Sequence, residues 1–411
     1  MKIKEKIDKL AWNAIFGKEK AQKDIRKIAQ EKEIFLSSTN NLYKARAKEE
    51  IPLNFTVPAF NIRTWTYDVA KTIFKIAKEK KIGAFVFEIA KSEMGYTDQS
   101  PAEYTSSILA AAIHENFKGP VFVQGDHFQI NTKDRKNPTK KEIQKVKNLI
   151  KKSIEGGLYN IDLDISTLVD YSKETIKEQQ KLNYSLTAEL AEYIRKIEPK
   201  DINISIGGEI GHIGGKNSTK EELVAFIEGF NEQFKEEIGL SKISVQTGTH
   251  HGGVPLKDGS LANTKVDFET LEKLSKLARN YKMGGAVQHG ASTLPEKYFS
   301  KFPKTEAIEI HLGTEFQNII MDHPKFPKKL LNKIYNWLDK TKDQKNQTKK
   351  QFYYNLRKKG WGQFKKECWS LSNKIKKPII KDLEKKFKFL FKELNVENTK
   401  PLIQKYERKN K

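Results

Sequence analysis

Val121-Phe122-Val123-Gln124-Gly125 is a short, largely apolar run of the kind that pairs into a sheet, and Asp126-His127 follow it directly. The same arrangement recurs twice: His250-His251-Gly252-Gly253 follows the run at 243–247, and Gln288-His289-Gly290-Ala291-Ser292 closes the run at 284–288. Three imidazoles delivered from three strand ends suit a catalytic zinc site, because the metal takes neutral nitrogen ligands and keeps one position open for substrate.

From about residue 55 to 312, apolar β-branched runs alternate with longer amphipathic stretches. Strands are expected at 56–61, 84–89, 121–125, 160–165, 202–206, 243–247, 284–288 and 307–311. Helices are expected at 65–80, 101–116, 139–155, 172–196, 219–237, 266–280 and 295–302, each beginning near Ser, Thr, Asp, Asn or Pro. Eight such alternations predict a (β/α)8 barrel. An open doubly wound sheet would carry a glycine-rich loop after its first strand, whereas Asn61-Ile62-Arg63-Thr64 contains no glycine.

The 411 residues suffice for one large barrel with appendages. Residues 1–50 read as polar helices, with Leu10, Trp12, Ile15 and Phe16 available to dock; 51–322 read as the barrel, and 323–411 as a Lys-rich helical extension. The net charge is +24, of which roughly +19 falls from Pro324 onward. That uneven spread argues against a nucleic-acid-binding body, and the aromatics of the extension (Trp361, Trp369, Phe387, Phe389, Phe391) read as a buried stripe beneath solvated lysines. Cys368 is the only cysteine, so neither a disulfide framework nor a thiolate metal site is available, which fits a reducing cytoplasm. Met1-Lys2-Ile3-Lys4-Glu5-Lys6 runs into mixed charge with no apolar core, so neither a signal peptide nor a membrane partner is expected.

A barrel gathers its chemistry at the C-terminal ends of its strands. Asp126 and His127 end the third expected strand and Asp164 the fourth; Glu209 follows the fifth, His250 and His251 the sixth, His289 ends the seventh, and His311 with Thr314 belongs to the eighth. Six strands thus converge on one rim.

Over residues 50–320 the chain resembles the class II, metal-dependent fructose-bisphosphate aldolases. Val57-Pro58-Ala59-Phe60-Asn61 resembles that family's opening strand and Gly125-Asp126-His127 its Thr-Asp-His segment. Gly248-Thr249-His250-His251-Gly252 is similar to Gly-Thr-x-His-Gly, and Gln288-His289-Gly290-Ala291-Ser292 to Leu-His-Gly-Gly-Ser. The resemblance implies that His127, His251 (rather than His250) and His289 bind the metal and that Asp126 is the catalytic acid and base. It places Asp164 and Glu209 around a mobile or second metal position, although plain strand-end carboxylates are the alternative. Asn61, Gly252, Gly253, Gly290, Ser292, His311 and Thr314 are then the substrate and phosphate contacts.

The implied cofactor is Zn²⁺, with Co²⁺, Fe²⁺ or Mn²⁺ also accepted by imidazoles and a monovalent cation admitted. The implied partner is a small phosphorylated sugar, handled by a homo-oligomer, dimer or tetramer. The implied reaction, an aldehyde-lyase step of glycolysis, cleaves fructose 1,6-bisphosphate reversibly.

The chain departs from that pattern at several points. His311 and Gly313 stand where the family has asparagine and the first aspartate of Asn-x-Asp-Thr-Asp. Gly214-Gly215-Lys216-Asn217, followed by Glu221-Glu222, stands for a Gly-Gly-Glu-Glu loop, so the loop base is open between Glu221, Glu222 and another group. Glu88-Ile89-Ala90-Lys91-Ser92 and Gly95-Tyr96-Thr97-Asp98 look more like the non-catalytic subunit of tagatose-bisphosphate aldolases, which leaves the sugar open. Two rivals stand beside the zinc reading, a non-catalytic barrel subunit and a Schiff-base aldolase. Lys257 reads as a solvated loop lysine.

Overall fold

Apolar runs bounded by glycine and polar residues become strands, and the amphipathic stretches between them cover the sheet. The computed structural model describes residues 3–130, 138–211, 215–250, 252–262 and 264–407. Among them nine parallel strands form: β1 (Ile34–Ser37), β2 (Val57–Asn61), β3 (Val86–Ala90), β4 (Gly119–Phe128), β5 (Asn160–Leu163), β6 (Ser205–Glu209), β7 (Lys242–Val245), β8 (Ala286–Gln288) and β9 (Glu309–Leu312). Pairing runs from β2 through β9 in sequence order and returns from β9 to β2, which closes the expected eight-stranded (β/α)8 barrel.

β1 lies outside that ring, where an all-helical segment is expected. β4 is ten residues long; its first half, Gly119 to Phe122, pairs with β1, and its second half belongs to the barrel. Four residues hold too few periods to stand out between charged helices. The helices Ile3–Ile15 and Glu19–Glu31 do form and pack on the barrel helix Pro101–His114. Ile15 is buried as expected, but Trp12 remains 40% exposed, its ring 4.5 Å from that of Phe16.

The fifth barrel strand, expected at 202–206, forms at Ser205–Glu209 instead. Two glycines hide it from a propensity reading, and the structure gives one of them a reason. A Cβ on Gly207 would lie 2.4 Å from Asp162 Oδ1, so only glycine lets the backbone pass the charges inside the barrel.

Those charges are unusual. Instead of a purely branched aliphatic layer, the interior holds Glu88, Gln124, Asp162, Lys242 and Glu309, all buried. Lys242 Nζ lies 2.6 Å from Glu309 Oε1 and 3.0 Å from Asp162 Oδ2 and donates to Gln124 Oε1 at 2.6 Å; Tyr43 donates its hydroxyl to Glu309. Two carboxylates hold the ammonium well above the ordinary lysine value although burial opposes them. Deleting the cation strands both anions in low dielectric. Lys242→Met is therefore expected to cost about 3–5 kcal/mol in denaturant unfolding, and a loss below about 1 kcal/mol would show that the layer is hydrated or otherwise compensated.

From Lys328 onward the chain is helical, and the aromatic stripe is core: Trp361, Trp369, Phe387 and Phe391 are buried. Phe387 and Phe391 set their rings 5.2 and 5.3 Å from Phe60 of β2 and tie the extension to the barrel wall. Among the described residues no helix is long and apolar enough to cross a membrane.

Candidate active site

Successive strand residues face opposite sides of a sheet, so Asp126 and His127 should diverge unless the strand is interrupted between them. β4 is interrupted there. Its register against β5 shifts between Gly125 and Phe128, and His127 adopts φ +48°. Gly125 permits this, since a Cβ at that position would lie 2.5 Å from the Phe128 ring. The bulge turns Asp126 and His127 toward the same mouth.

That mouth is a pocket of about 260 Å³ at the C-terminal ends of the strands. Asn61, Asp126, His127, Asp164, Glu209, Gly252, His289, Gly290, Ser292, His311 and Thr314 all line it. Of the other expected site residues, Gly253 lies next to the lining, and His251 falls outside the described residues. His250 is exposed. Glu221 and Glu222 begin the helix Lys220–Gln233 and do not line the pocket; Glu222 accepts from Thr219 N and pairs with Lys216 at 2.7 Å.

His127 and His289 set their rings 4.5 Å apart, and donor atoms of His127, Glu209 and His289 all lie within 4.8 Å of one another. Asp164 sits behind this group: its Oδ2 is 2.7 Å from His127 Nδ1 and also accepts from Gln129, and its Oδ1 accepts from Ser166 Oγ at 2.6 Å. Glu209 Oε2 approaches the same nitrogen at 3.5 Å, and a carboxylate bonded there fixes the tautomer and orientation of the ring.

The chemistry of this donor set fits a divalent transition metal. Imidazole and carboxylate suit Zn²⁺, and Glu209 Oε1 is buried without a hydrogen-bond partner. Burial first, and then the charge of Asp164, push the Glu209 carboxyl up to about 8. At His127 burial opposes a charged ring, yet the carboxylates of Asp126 and Glu209 and the bond to Asp164 raise its pKa well above the ordinary value. Three carboxylates, of Asp126, Asp164 and Glu209, thus face one imidazole, a setting that a divalent cation would also neutralise. Asp126 is the counterpart: burial would raise it, but His127, His311 and His289 hold it well below the usual carboxylate range.

His311 packs beneath His289 with ring centroids 4.1 Å apart. Its Nδ1 lies 3.0 Å from Glu88 and 3.5 Å from Asp126, and its Nε2 lies 2.6 Å from Glu309. It therefore joins the mouth to the charged layer below. Asp126, His289 and His311 form a second group with donors within 4.8 Å of one another.

The rim glycines hold left-handed backbone, φ +65° at Gly290 and +76° at Gly252, and the approach at Gly290 is also too close for a side chain. A Cβ on Gly290 would lie 2.9 Å from the His250 carbonyl, and one on Gly252 would lie 3.3 Å from Thr314 Oγ1. Gly313 caps the helix Thr314–Met321, whose N-terminus opens at the pocket and favours an anion.

Sequence reasoning missed Arg63, Glu93, Gln129 and Lys358, and it gave no role to Glu88 or Tyr96, all of which line the pocket. Glu88 had a signal, a carboxylate near the end of the second barrel strand. Glu93 and Tyr96 sit on the short helix Lys91–Thr97, where Glu93 accepts from Ala90 N at 2.9 Å and from Asn61. Lys358 had no signal, because nothing in a basic tail marks one lysine among many.

Imidazoles, carboxylates and glycine loops at the C-terminal mouth of a (β/α)8 barrel define a barrel with a metal-competent site. The chain belongs to the family Fructose-bisphosphate aldolase class-II, whose sequence profile matches residues 38–361, past the barrel and into the extension. Fructose-bisphosphate aldolase from Campylobacter jejuni superposes with TM-score 0.52 at 15% identity, over 89% of this chain and 96% of that one. A probable tagatose 6 phosphate kinase from Sinorhizobium meliloti superposes with TM-score 0.54 at 14% identity, over 85% and 90%. No curated protein sequence matches the chain.

Proposed function

We propose that the chain is a zinc-dependent aldolase that cleaves and re-forms fructose 1,6-bisphosphate, with dihydroxyacetone phosphate and glyceraldehyde 3-phosphate as products. The observation that carries this reading is the grouping of His127, Glu209 and His289 beside Asp126 at the mouth of a family barrel. His127 and His289, with Glu209 or His251, would hold Zn²⁺, and Asp164 orients His127. When bound, the metal supplies Lewis-acid polarisation of the substrate ketone.

In cleavage, Asp126 takes the proton of the C4 hydroxyl as the C3–C4 bond breaks, and the C4 fragment leaves as the aldehyde. The electron pair of that bond stays with the ketone half, and C3 takes its proton from a second general acid, which is Glu221, Glu222 or another residue. Asp126 returns its proton to the aldehyde oxygen in condensation. Backbone N–H groups at Gly252, Gly253 and Gly290, with Ser292 and Thr314, hold a phosphate at the mouth of the helix Thr314–Met321. The single thiol, Cys368, is buried and does not line the pocket, in keeping with work in a reducing cytoplasm.

Lys242 is no Schiff-base nucleophile on this reading, since its amine is fully buried and paired with two carboxylates. The test is an aldol-cleavage assay on fructose and tagatose 1,6-bisphosphate, with and without chelator and with borohydride. Activity lost to chelator, restored by zinc and untouched by borohydride is expected, and the preferred bisphosphate fixes the C4 stereochemistry. Activity that survives chelation and is trapped by borohydride overturns the reading.

A further inference from the structure

The extension does more than cover the barrel. Its helix Lys349–Leu356 lies along the loop that follows β7, where Tyr354 donates to the Gly252 carbonyl at 2.8 Å and Gln351 to that of Pro255 at 2.9 Å. The next residue but two, Arg357, grips Asp322 through both Nη atoms and donates to Asn318 at 2.8 Å. The turn is thereby fixed between the glycine loop and the helix Thr314–Met321. Lys358 follows and lines the pocket.

Arg63 lies on the same wall. Its Nε is 2.8 Å from Glu93, and its Nη1 donates to Thr314 Oγ1 and to Gln317, each at 3.3 Å. The guanidinium occupies space that a side chain at 313 would claim, because a Cβ on Gly313 would lie 3.2 Å from Arg63 Nη2. Where the family resemblance has an aspartate, this chain therefore presents a cation.

Two cations on one half-buried wall are costly when, among the described residues, Arg63 has the ion pair, with Glu93, and Lys358 has the face of the Tyr96 ring at 5.8 Å. Burial first, and then the charge of Arg63, push the Lys358 ammonium down to about 8. An anion set between them relieves that cost, and a phosphate monoester offers both the charge and the acceptor oxygens.

We propose that Lys358, together with Arg63, is the charged element of the phosphate subsite, so that the C-terminal extension is a working part of the active site and selects phosphorylated over unphosphorylated ligands. The proposal rests on the phosphosugar reading above. Its test does not need catalysis. The full-length protein is titrated calorimetrically with glycerol 3-phosphate and with glycerol, as wild type, Lys358→Met, Lys358→Arg and the control Lys359→Met, with melting temperature and zinc content recorded for each.

Lys358→Met is expected to bind glycerol 3-phosphate about tenfold or more weakly, while Lys358→Arg and Lys359→Met bind nearly as wild type and glycerol binds none of them. If cleavage is found, KM rises in Lys358→Met by a similar factor with a smaller change in kcat. Wild-type binding by a folded Lys358→Met overturns the proposal, as does equal weakening in Lys359→Met. Phosphate binding that depends on Lys358 in a protein that cleaves neither bisphosphate leaves the subsite standing and removes the aldolase reading alone.

Discussion

His289→Ala is expected to purify without stoichiometric zinc and to cleave either bisphosphate roughly 10³-fold more slowly or worse, since the metal's share of transition-state stabilisation is worth several kcal/mol. His127→Ala should behave alike. His289 is buried and His127 half-buried at the mouth, and both have Glu209 as a neighbour, so removing either leaves a donor set too small to hold the ion against solvent. His250→Ala is the contrast, because its side chain is exposed and stands clear of the pocket lining. That variant should keep its metal and much of its activity. Elemental analysis alongside the assay decides the matter: equal zinc in His289→Ala and wild type would end the ligand assignment.

Asp126→Asn is expected to lower kcat by about 10²–10⁴-fold while zinc content stays at the wild-type level. Asparagine keeps the size and the hydrogen-bonding reach of the side chain but cannot accept the C4 hydroxyl proton. Asp126 is buried, and three histidines around it hold it ionised. A bound divalent metal would replace the imidazolium protons with its own positive charge, so Asp126 stays ionised and able to accept a proton. Steady-state kinetics with metal analysis reads the outcome. A kcat within about tenfold of wild type would assign the proton transfer elsewhere, and His311, 3.5 Å from Asp126, would be the next residue to replace.

The strands that were legible are those with unbroken, largely apolar runs: β2, and β4 and β8, which glycines flank. β6 was misplaced because Gly207 and Gly208 depress strand propensity, yet the crowding around Asp162 and Lys242 requires a residue without a side chain at 207. β1 was invisible for a different reason, being four residues long between charged helices. The Asp126-His127 pair shows how far local rules reach. Alternation predicted divergence unless the strand was interrupted, and a bulge at Gly125 supplies the interruption.

The amino-acid sequence by itself determined the barrel and the identity of the rim: periodicity and strand-end histidines are local properties, written in consecutive residues. Which charges meet was settled only by the tertiary structure. Lys242 with Glu309, Glu209 with His127, and Arg63 on one pocket wall with Lys358 are pairs separated by tens to hundreds of residues. A charged side chain in an isolated segment is indistinguishable from a solvated one. Its energy depends on the dielectric and the partners that folding places around it, and those come from the rest of the chain.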